Sequence, residues 1–421
     1  MTFENMANYI TNIKIHKLLD KSDLSISTPA DGSLHHIILT GPNGAGKTTL
    51  FNAIQESLNL MFTDTNYNFK DYRRNLAFLK TQLEEAVRNN DTANIQQRNN
   101  SINYYGKCIE KLWGTVELDG VSWPEVFPLV RAHKYVIAFF GAERLSHFIE
   151  IKNPVKPNLE QSELKSSKTE EFIKFLVDLK FQQSMATNEG DTEEANEIGA
   201  WFEQFEDILR SLFADESLKL VFDYKHYRFY IEKSGARFAL TDLSAGYSSA
   251  LDIVADIILK MQDADHVVRA YDVPGIVFID EVETHLHLKL QREILPFLTT
   301  LFPRIQFVVT THSPFVLSSI ENATIYDLAA QKSVDDLSDY SFEILAEGYF
   351  GVETESGKLL SQIERLEELA NMDERSLTEE DDLRSLISDF EKIPEIIAPE
   401  LKIRFYEVKR RLLQQKTDSG L

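Results

Sequence analysis

Three separated runs have the residue types and the order that chemistry on a nucleotide's phosphates would require. GPNGAGKTT, Gly41 to Thr49, fits the pattern G-x-x-x-x-G-K-[ST]; its glycines let backbone N–H groups turn toward phosphate oxygens. Gly41, Asn43, Gly44 and Gly46 would shape that cradle, with Lys47 supplying a cation to the terminal phosphates. The Thr48 hydroxyl would bind Mg²⁺, and Thr49 completes the motif. GIVFIDE, Gly275 to Glu281, ends a buried-strand pattern on two carboxylates. Asp280 there can hold Mg²⁺ through water, and Glu281 can polarise an attacking water. IQFVVTTHSPF sets His312 just past another apolar run, where an imidazole can hydrogen-bond a γ-phosphate. Each run also has an ordinary reading: a chance turn, a pair of surface carboxylates, a histidine satisfied by turn carbonyls. Taken together they favour the nucleotide reading.

A fourth run, TDLSAGYSS from Thr241 to Ser249, carries small residues and hydroxyls directly ahead of ALDIVADIILKM, whose apolar residues recur at helical spacing. It looks like a second phosphate grip at a helix N-terminus, although a plain hydroxyl turn capping the helix would have the same composition. One nucleotide hardly needs two such grips from one molecule.

The elements that position these residues are legible as alternating patterns. YITNIKI and LHHIILT read as strands, the second running into the glycine loop, and TTLFNAIQESLNLMF follows as a helix. Two amphipathic helices folding back at NNDTAN come next, then the strand YVIAFFG and the segment AERLS. Residues 152–167 read as a surface loop. Two more helices, parted at NEGD, precede three short strands, LKLVFDY, YRFYIEK and RFAL. GIVFID and IQFVVTT are buried strands separated by the helix LKLQREILPFLTTLF. Continuous apolar strands alternating with helices imply an α/β fold with a largely parallel sheet covered on both faces. From about residue 351 the text becomes a polar helical appendage, with Pro399 at a helix start.

Bulk properties bound the partners. The chain has 421 residues, 43% of them hydrophobic, and a formal net charge of −23. That charge argues against a uniformly cationic surface gripping nucleic acid; the short basic stretches near Arg73 and Arg410 are read as solvated helix faces. No apolar run approaches the roughly 18 to 20 residues that span a bilayer, so a soluble cytoplasmic protein with no membrane partner is expected. The single cysteine, Cys108, precludes an internal disulfide and is expected to pack in a buried stripe.

Taken together, GPNGAGKTT, LSAGYSS, FIDEVETHLH and VTTHSPF resemble the Walker A, signature, Walker B with D-loop, and switch-histidine motifs of ABC-type ATPases, in the wording of the RecF and SMC branch. The resemblance covers about residues 8–330. It implies an ATPase head over residues 1–350, with helical insertions at about 70–112 and 168–214, and a docking or oligomerisation region over 351–421. It further implies ATP and Mg²⁺ as cofactors and a face-to-face dimer, or a higher oligomer, in which Ser244 and the backbone at Gly246 bind the γ-phosphate held by the other copy. Several positions depart from the pattern. Ala245 and Tyr247 stand where glycine and a polar residue are frequent, and AERLS replaces the usual Mg²⁺-sensing glutamine. Arg144 is a candidate there for a phosphate or interface contact, with a surface salt bridge as the equal alternative; Gln161 is a weak substitute for the glutamine. His285 and His287, inside the D-loop wording, fit a dimer contact better than a metal.

Stand-alone heads of this kind resemble the ATPase subunits of Septu and retron antiphage systems, whose partner is an HNH-type nuclease. The resemblance thus implies a conformational ATPase controlling a separate effector, with any contact to nucleic acid made through the complex. A RecF-like genome-maintenance ATPase and a non-hydrolysing ATP-bound scaffold are the alternatives. A transporter subunit fits least, because of the helical insertions and the D-loop wording.

Overall fold

The apolar runs become strands buried along their length, and a strand with no polar face needs cover on both sides. In the computed structural model, which describes residues 8–64, 68–144, 148–262, 271–334, 337, 357–372, 375–392 and 399–418, the chain divides into two compact units, Met1–Asp339 and Tyr340–Leu421. The boundary expected at 350/351 lies outside the described residues.

The first unit opens with an antiparallel hairpin, β1 (Asn12–Leu18) and β2 (Lys21–Ser27). The next strand, β3 (His36–Thr40), is wholly buried and leads into α1 (Lys47–Thr63). A helical pair follows, α2 (Phe69–Arg88) and α3 (Thr92–Trp113). The reversal between them is set by Asp91, whose carboxylate accepts the Asn94 N–H and so satisfies one of the end groups of α3. Then come β4 (Val116–Asp119), antiparallel to β1, the helix α4 (Trp123–Arg131), and β5 (Val136–Phe140). Arg73 is already engaged here: its guanidinium makes two hydrogen bonds to the Glu117 carboxylate, at 2.8 and 2.9 Å.

The second insertion comprises α5 (Phe172–Glu189) and α6 (Thr192–Phe213), the latter capped by Asp191 on the Glu194 N–H. Its core is aromatic, with Trp201 and Phe205 stacked at 5.5 Å and Phe172 edge-on to Phe205 at 5.4 Å. An antiparallel meander, β6 (Lys219–Asp223), β7 (Arg228–Lys233) and β8 (Ala236–Ala239), leads to α7 (Ala245–Met261). The remaining elements are β9 (Gly275–Ile279), α8 (Leu288–Leu301), β10 (Ile305–Thr310), the short α9 (Pro314–Leu317), β11 (Ala323–Asp327) and β12 (Lys332–Val334).

The central sheet runs β12-β11-β3-β10-β9-β5, parallel throughout except at the β12 edge. It is a mixed α/β fold with a largely parallel sheet, as expected. Parallel pairing brings the carboxyl ends of β3, β5, β9 and β10 to one edge, where open α/β sheets bind ligands. Phe139 and Phe278 stack at 4.6 Å, and Phe51 of α1 meets Phe139 edge-on at 5.7 Å. Each such pair contributes about 0.5–1.5 kcal/mol beyond its buried area and fixes α1 against the sheet. Buried Gln306 on β10 joins the segment ahead of β1 to the sheet, donating to the Ile10 and His35 carbonyls and accepting the Ile10 N–H.

Residues 152–167 form neither helix nor strand and are mostly exposed, as expected of a surface loop, with an anchor at Leu164, which is fully buried and whose N–H donates to Asn59 Oδ1 on α1 at 3.0 Å. One expectation needs correction. Cys108, on α3, is only half-buried, because α2 and α3 leave part of the stripe facing solvent.

Among its described residues the second unit holds three helices, α10 (Gly357–Ala370), α11 (Leu377–Lys392) and α12 (Pro399–Asp418). Their apolar stripes share a core that includes Ile363, Leu366, Phe390 and Phe405. A reciprocal capping box starts α11: Glu379 accepts the Ser376 N–H at 2.8 Å while Ser376 Oγ accepts the Glu379 N–H, satisfying two end groups at once. Arg404 reaches across to the Glu367 carboxylate with two hydrogen bonds. No described helix is long and apolar enough to cross a membrane.

Candidate nucleotide site

The glycine loop takes its shape from backbone angles that only glycine adopts without strain. Gly41, Gly44 and Gly46 have φ of 128°, 82° and 100°. Gly46 is the N-cap of α1, so the first N–H groups of that helix open toward the loop. Asn43, Gly44, Thr48 and Thr49 are exposed, whereas Lys47 is buried. The Lys47 ammonium donates to the carbonyls of Gly41 at 2.8 Å and Pro42 at 3.3 Å, and lies 3.4 Å from His312 Nδ1. Burial holds Lys47 below the ordinary lysine value, with Glu281, Glu283, Asp280 and Asp327 acting the other way.

Asp280 follows β9 directly and is 1% exposed. Its Oδ1 accepts the Thr310 hydroxyl at 2.5 Å, and the same Thr310 oxygen accepts the Glu281 N–H at 2.7 Å. Glu281 has φ 45°, a left-handed conformation that costs a non-glycine residue free energy; its side chain is half-buried and accepts from Thr284 Oγ1 at 3.3 Å. His312 follows β10, and its backbone N–H donates to Glu283 Oε1 at 2.5 Å while Thr311 Oγ1 donates to Glu283 Oε2 at 2.8 Å. Burial first, then the Lys47 charge, pushes the His312 imidazole below the ordinary histidine value, which favours the neutral ring. Asp280, Glu281, Lys47 and His312 are thus brought together across three adjacent strands.

The signature run lies at the N-terminus of α7. Ser244 is the N-cap residue, yet its hydroxyl makes no cap hydrogen bond and the residue is exposed. Gly246 is buried, and a Cβ there would stand 2.9 Å from the His285 carbonyl oxygen; a side chain at 246 would separate the helix from the D-loop. Tyr247, the departure from the pattern, stacks on Phe213 at 4.1 Å and joins α7 to the helical insertion. His285 and His287 are both exposed, and no group of three or more potential metal-ligating side chains occurs among the described residues.

Two sequence expectations change at the segment after β5. Arg144 is neither a surface ion pair nor a free phosphate contact, because its guanidinium is buried and donates to backbone carbonyls and to Ser249 Oγ. Gln161 is also buried, and its amide donates to the Ile137 carbonyl within β5. Sequence reasoning passed over Glu283, Thr310 and Thr311. The one signal for Glu283 is its place two residues after Glu281; the threonines show only as hydroxyls ending a buried strand.

The hard oxygen donors at this edge, Asp280 and the Thr48 hydroxyl, together with a glycine cradle and a lysine, suit a nucleotide phosphate with Mg²⁺, which takes few protein ligands and keeps water and phosphate oxygens for the rest.

Residues 135–318 match the family described as "AAA domain, putative AbiEii toxin, Type IV TA system". The chain is 22% identical over 408 residues to the "Retron Vc95 probable ATPase" of Vibrio cholerae serotype O1 biovar El Tor, covering 81% of this chain and 77% of that one. It is 34% identical over 119 residues to a "Septu protein PtuA" of Bacillus mycoides (strain KBAB4), 28% of this chain and 16% of that protein. With the "Retron Ec83 probable ATPase" of Escherichia coli it shares 37% identity over 97 residues, 23% of this chain and 18% of that one. The chain therefore spans most of the first relative and under a fifth of the other two. Among solved structures, an SMC head bound to the C-winged helix domain of ScpA aligns with TM-score 0.40 at 14% identity, over 78% of this chain and 95% of that one. By sequence the chain is thus similar to retron proteins named as probable ATPases and to the Septu protein PtuA.

Proposed function

We propose that the chain is an ATPase acting as a conformational switch: two copies close on shared ATP, and the closed state governs a separate effector in antiphage defence. The observation that carries this reading is the 3.4 Å approach of His312 Nδ1 to Lys47 Nζ, which brings the loop after β10 to the centre of the glycine loop. Backbone N–H groups and Lys47 would cradle the phosphates, and Thr48 and Asp280 would hold Mg²⁺. When bound, Mg²⁺ would neutralise charge developing on the transferred phosphoryl group. Glu281 polarises the attacking water, and the neutral His312 ring hydrogen-bonds the γ-phosphate.

The exposed Ser244 hydroxyl, unspent on capping its own helix, supports engagement of the partner's γ-phosphate, with the N-terminus of α7 adding its N–H groups. Hydrolysis would then remove a contact that both copies share. The relationship to Septu and retron proteins supports an effector encoded apart from this chain, an HNH-type nuclease, with the helical second unit as a docking or oligomerisation element.

Phosphate release by wild type and Glu281→Gln tests the enzyme reading. The substitution should lower kcat by about 10²–10⁴-fold; equal rates would remove the catalytic assignment. Sedimentation with and without ATP tests the shared site: Ser244→Arg should abolish ATP-dependent association, and its persistence would argue for a site complete in one chain. With the nuclease reconstituted, DNA cleavage should fall as ATP rises, and indifference to ATP would defeat restraint by nucleotide.

A further inference from the structure

Arg144 is 6% exposed and makes five hydrogen bonds, all to neutral oxygens. Nη1 donates to the carbonyls of Gly141 at 3.2 Å and Asp280 at 2.8 Å. Nη2 donates to those of Glu281 at 2.8 Å and Val282 at 3.3 Å, and Nε donates to Ser249 Oγ at 3.0 Å. A buried guanidinium is costly unless its donors are met and compensating charge lies near. Here Glu283, Asp252, Asp280 and Glu281 supply that charge, while three of the five direct bonds go to consecutive peptide carbonyls.

Those carbonyls bracket Glu281, whose φ of 45° places it in the left-handed region. Its N–H is held by Thr310 Oγ1 at 2.7 Å and its carbonyl by Arg144. Side-chain direction follows backbone conformation, so this frame aims the Glu281 carboxylate. The fifth bond leaves the frame altogether: Ser249 lies in the first turns of α7, the helix that Ser244 begins. Farther along the same helix, Asp256 accepts the Lys168 N–H and pairs with Lys260, which donates to the Ser166 carbonyl at 3.0 Å. Arg144 and, farther along the chain, Ser166 and Lys168 are therefore all tied to α7.

We propose that Arg144 is a positioning residue that holds Glu281 in its left-handed turn and links it to α7, so that engagement of a partner's nucleotide at Ser244 is transmitted to the hydrolytic carboxylate of the same chain. The inference rests on the roles of Glu281 and Ser244 proposed above. Lysine cannot reproduce a planar fork of five donors, and Ser249→Ala removes only the tie to α7.

The test is steady-state phosphate release over a range of protein concentrations, with binding of a non-hydrolysable ATP analogue and sedimentation measured alongside. Arg144→Lys should lower kcat roughly ten- to a hundredfold while analogue affinity and KM stay within about threefold. Ser249→Ala should associate with ATP as wild type does, yet lose most of the rise in kcat per chain that accompanies association. A Ser249→Ala profile matching wild type would overturn the transmission. Arg144→Lys with lowered thermal stability and an unchanged kcat would leave Arg144 a merely structural residue. Should Arg144→Lys not fold, Ser249→Ala decides alone. Glu281→Gln separates the two levels: if it hydrolyses ATP normally, the proposed function and this inference both fail, whereas its loss of activity beside a fully active Arg144→Lys overturns this inference only.

Discussion

The Glu283 carboxylate receives the His312 backbone N–H at 2.5 Å through one oxygen and the Thr311 hydroxyl at 2.8 Å through the other. A side chain of the loop after β9 thus fixes the backbone that presents His312, and Gln291 on α8, whose side-chain carbonyl accepts the Ser313 hydroxyl at 2.7 Å, ties the same segment to the helix that follows. Lys47, at 3.4 Å from the ring, is where this bracing meets the glycine loop.

Glu283→Gln keeps the shape but exchanges one accepting oxygen for an N–H₂ facing a donor. Hydrogen bonds to a charged group contribute about 1.5–3 kcal/mol, so a stability loss of that order is expected. The catalytic signature should be a kcat reduced roughly tenfold with KM within about threefold, because positioning rather than substrate binding is lost. Steady-state phosphate release reads both parameters; a wild-type kcat would show that His312 is held adequately without Glu283.

Gly246→Ala places a Cβ 2.9 Å from the His285 carbonyl oxygen. Both partners are backbone, so no flexible side chain can yield, and either the D-loop or the N-terminus of α7 must shift. Overpacking of this kind costs about 1–3 kcal/mol. The shift moves Ser244 and the D-loop together, so ATP-dependent association should weaken far more than in the control Ala245→Gly, whose site is exposed. Sedimentation with ATP decides, and parity between the two variants would contradict the geometry.

Much of this site was legible because its chemistry constrains residue type and spacing together. Lys47 follows a glycine that must adopt positive φ, Asp280 ends a run with no polar face, and His312 ends another. The strands that the sequence hid are those whose pattern does not distinguish them. β2, KSDLSIS, is mostly exposed or half-buried and exists because β1 pairs with it; β11 finds its partner, β3, nearly the whole unit away in sequence. Arg144 was misread for a related reason: three of its five acceptors are carbonyls of residues that follow it by more than a hundred positions, and a carbonyl leaves no mark in a sequence. Glu283 was passed over because only the tertiary fold brings Thr311 and His312 to it.

His36 gives the first unit an acid-sensitive seam. Its ring is buried where β3 begins, Nδ1 accepts the Phe307 N–H at 3.1 Å, and burial lowers its pKa to about 4. The folded state therefore favours the neutral ring, and the unfolded chain binds the proton first as pH falls. Stability present above about pH 6.5 is lost on going down toward pH 4, at about 1.4 kcal/mol per pH unit and about 3 kcal/mol in all. Urea denaturation followed by tryptophan fluorescence reports this unit, because Trp113, Trp123 and Trp201 all lie within it. His36→Asn, which retains an acceptor at the same distance from the backbone, should show a flatter loss between pH 6.5 and 4.5. Identical slopes would mean that other groups govern the acid limb.

Thr310→Val removes one hydroxyl and with it two bonds, the donation to Asp280 Oδ1 at 2.5 Å and the acceptance from the Glu281 N–H at 2.7 Å. Valine matches the volume, so packing is preserved while the Glu281 N–H, beside the buried Asp280, loses its acceptor. Such a group costs about 1–3 kcal/mol, which should appear as a lower urea midpoint. With Asp280 as the proposed Mg²⁺ ligand, the larger consequence falls on metal binding. Asp280 would lose the partner that orients its carboxylate, and losing an outer partner of a metal ligand typically weakens metal affinity about 10–100-fold. ATP hydrolysis titrated with Mg²⁺ should therefore saturate at a higher Mg²⁺ concentration in the variant. Thr310→Ser, which restores the hydroxyl, should return the titration toward that of wild type. An unchanged Mg²⁺ requirement in Thr310→Val would mean that Asp280 is oriented by the strand alone, and would remove Thr310 from the description of the site.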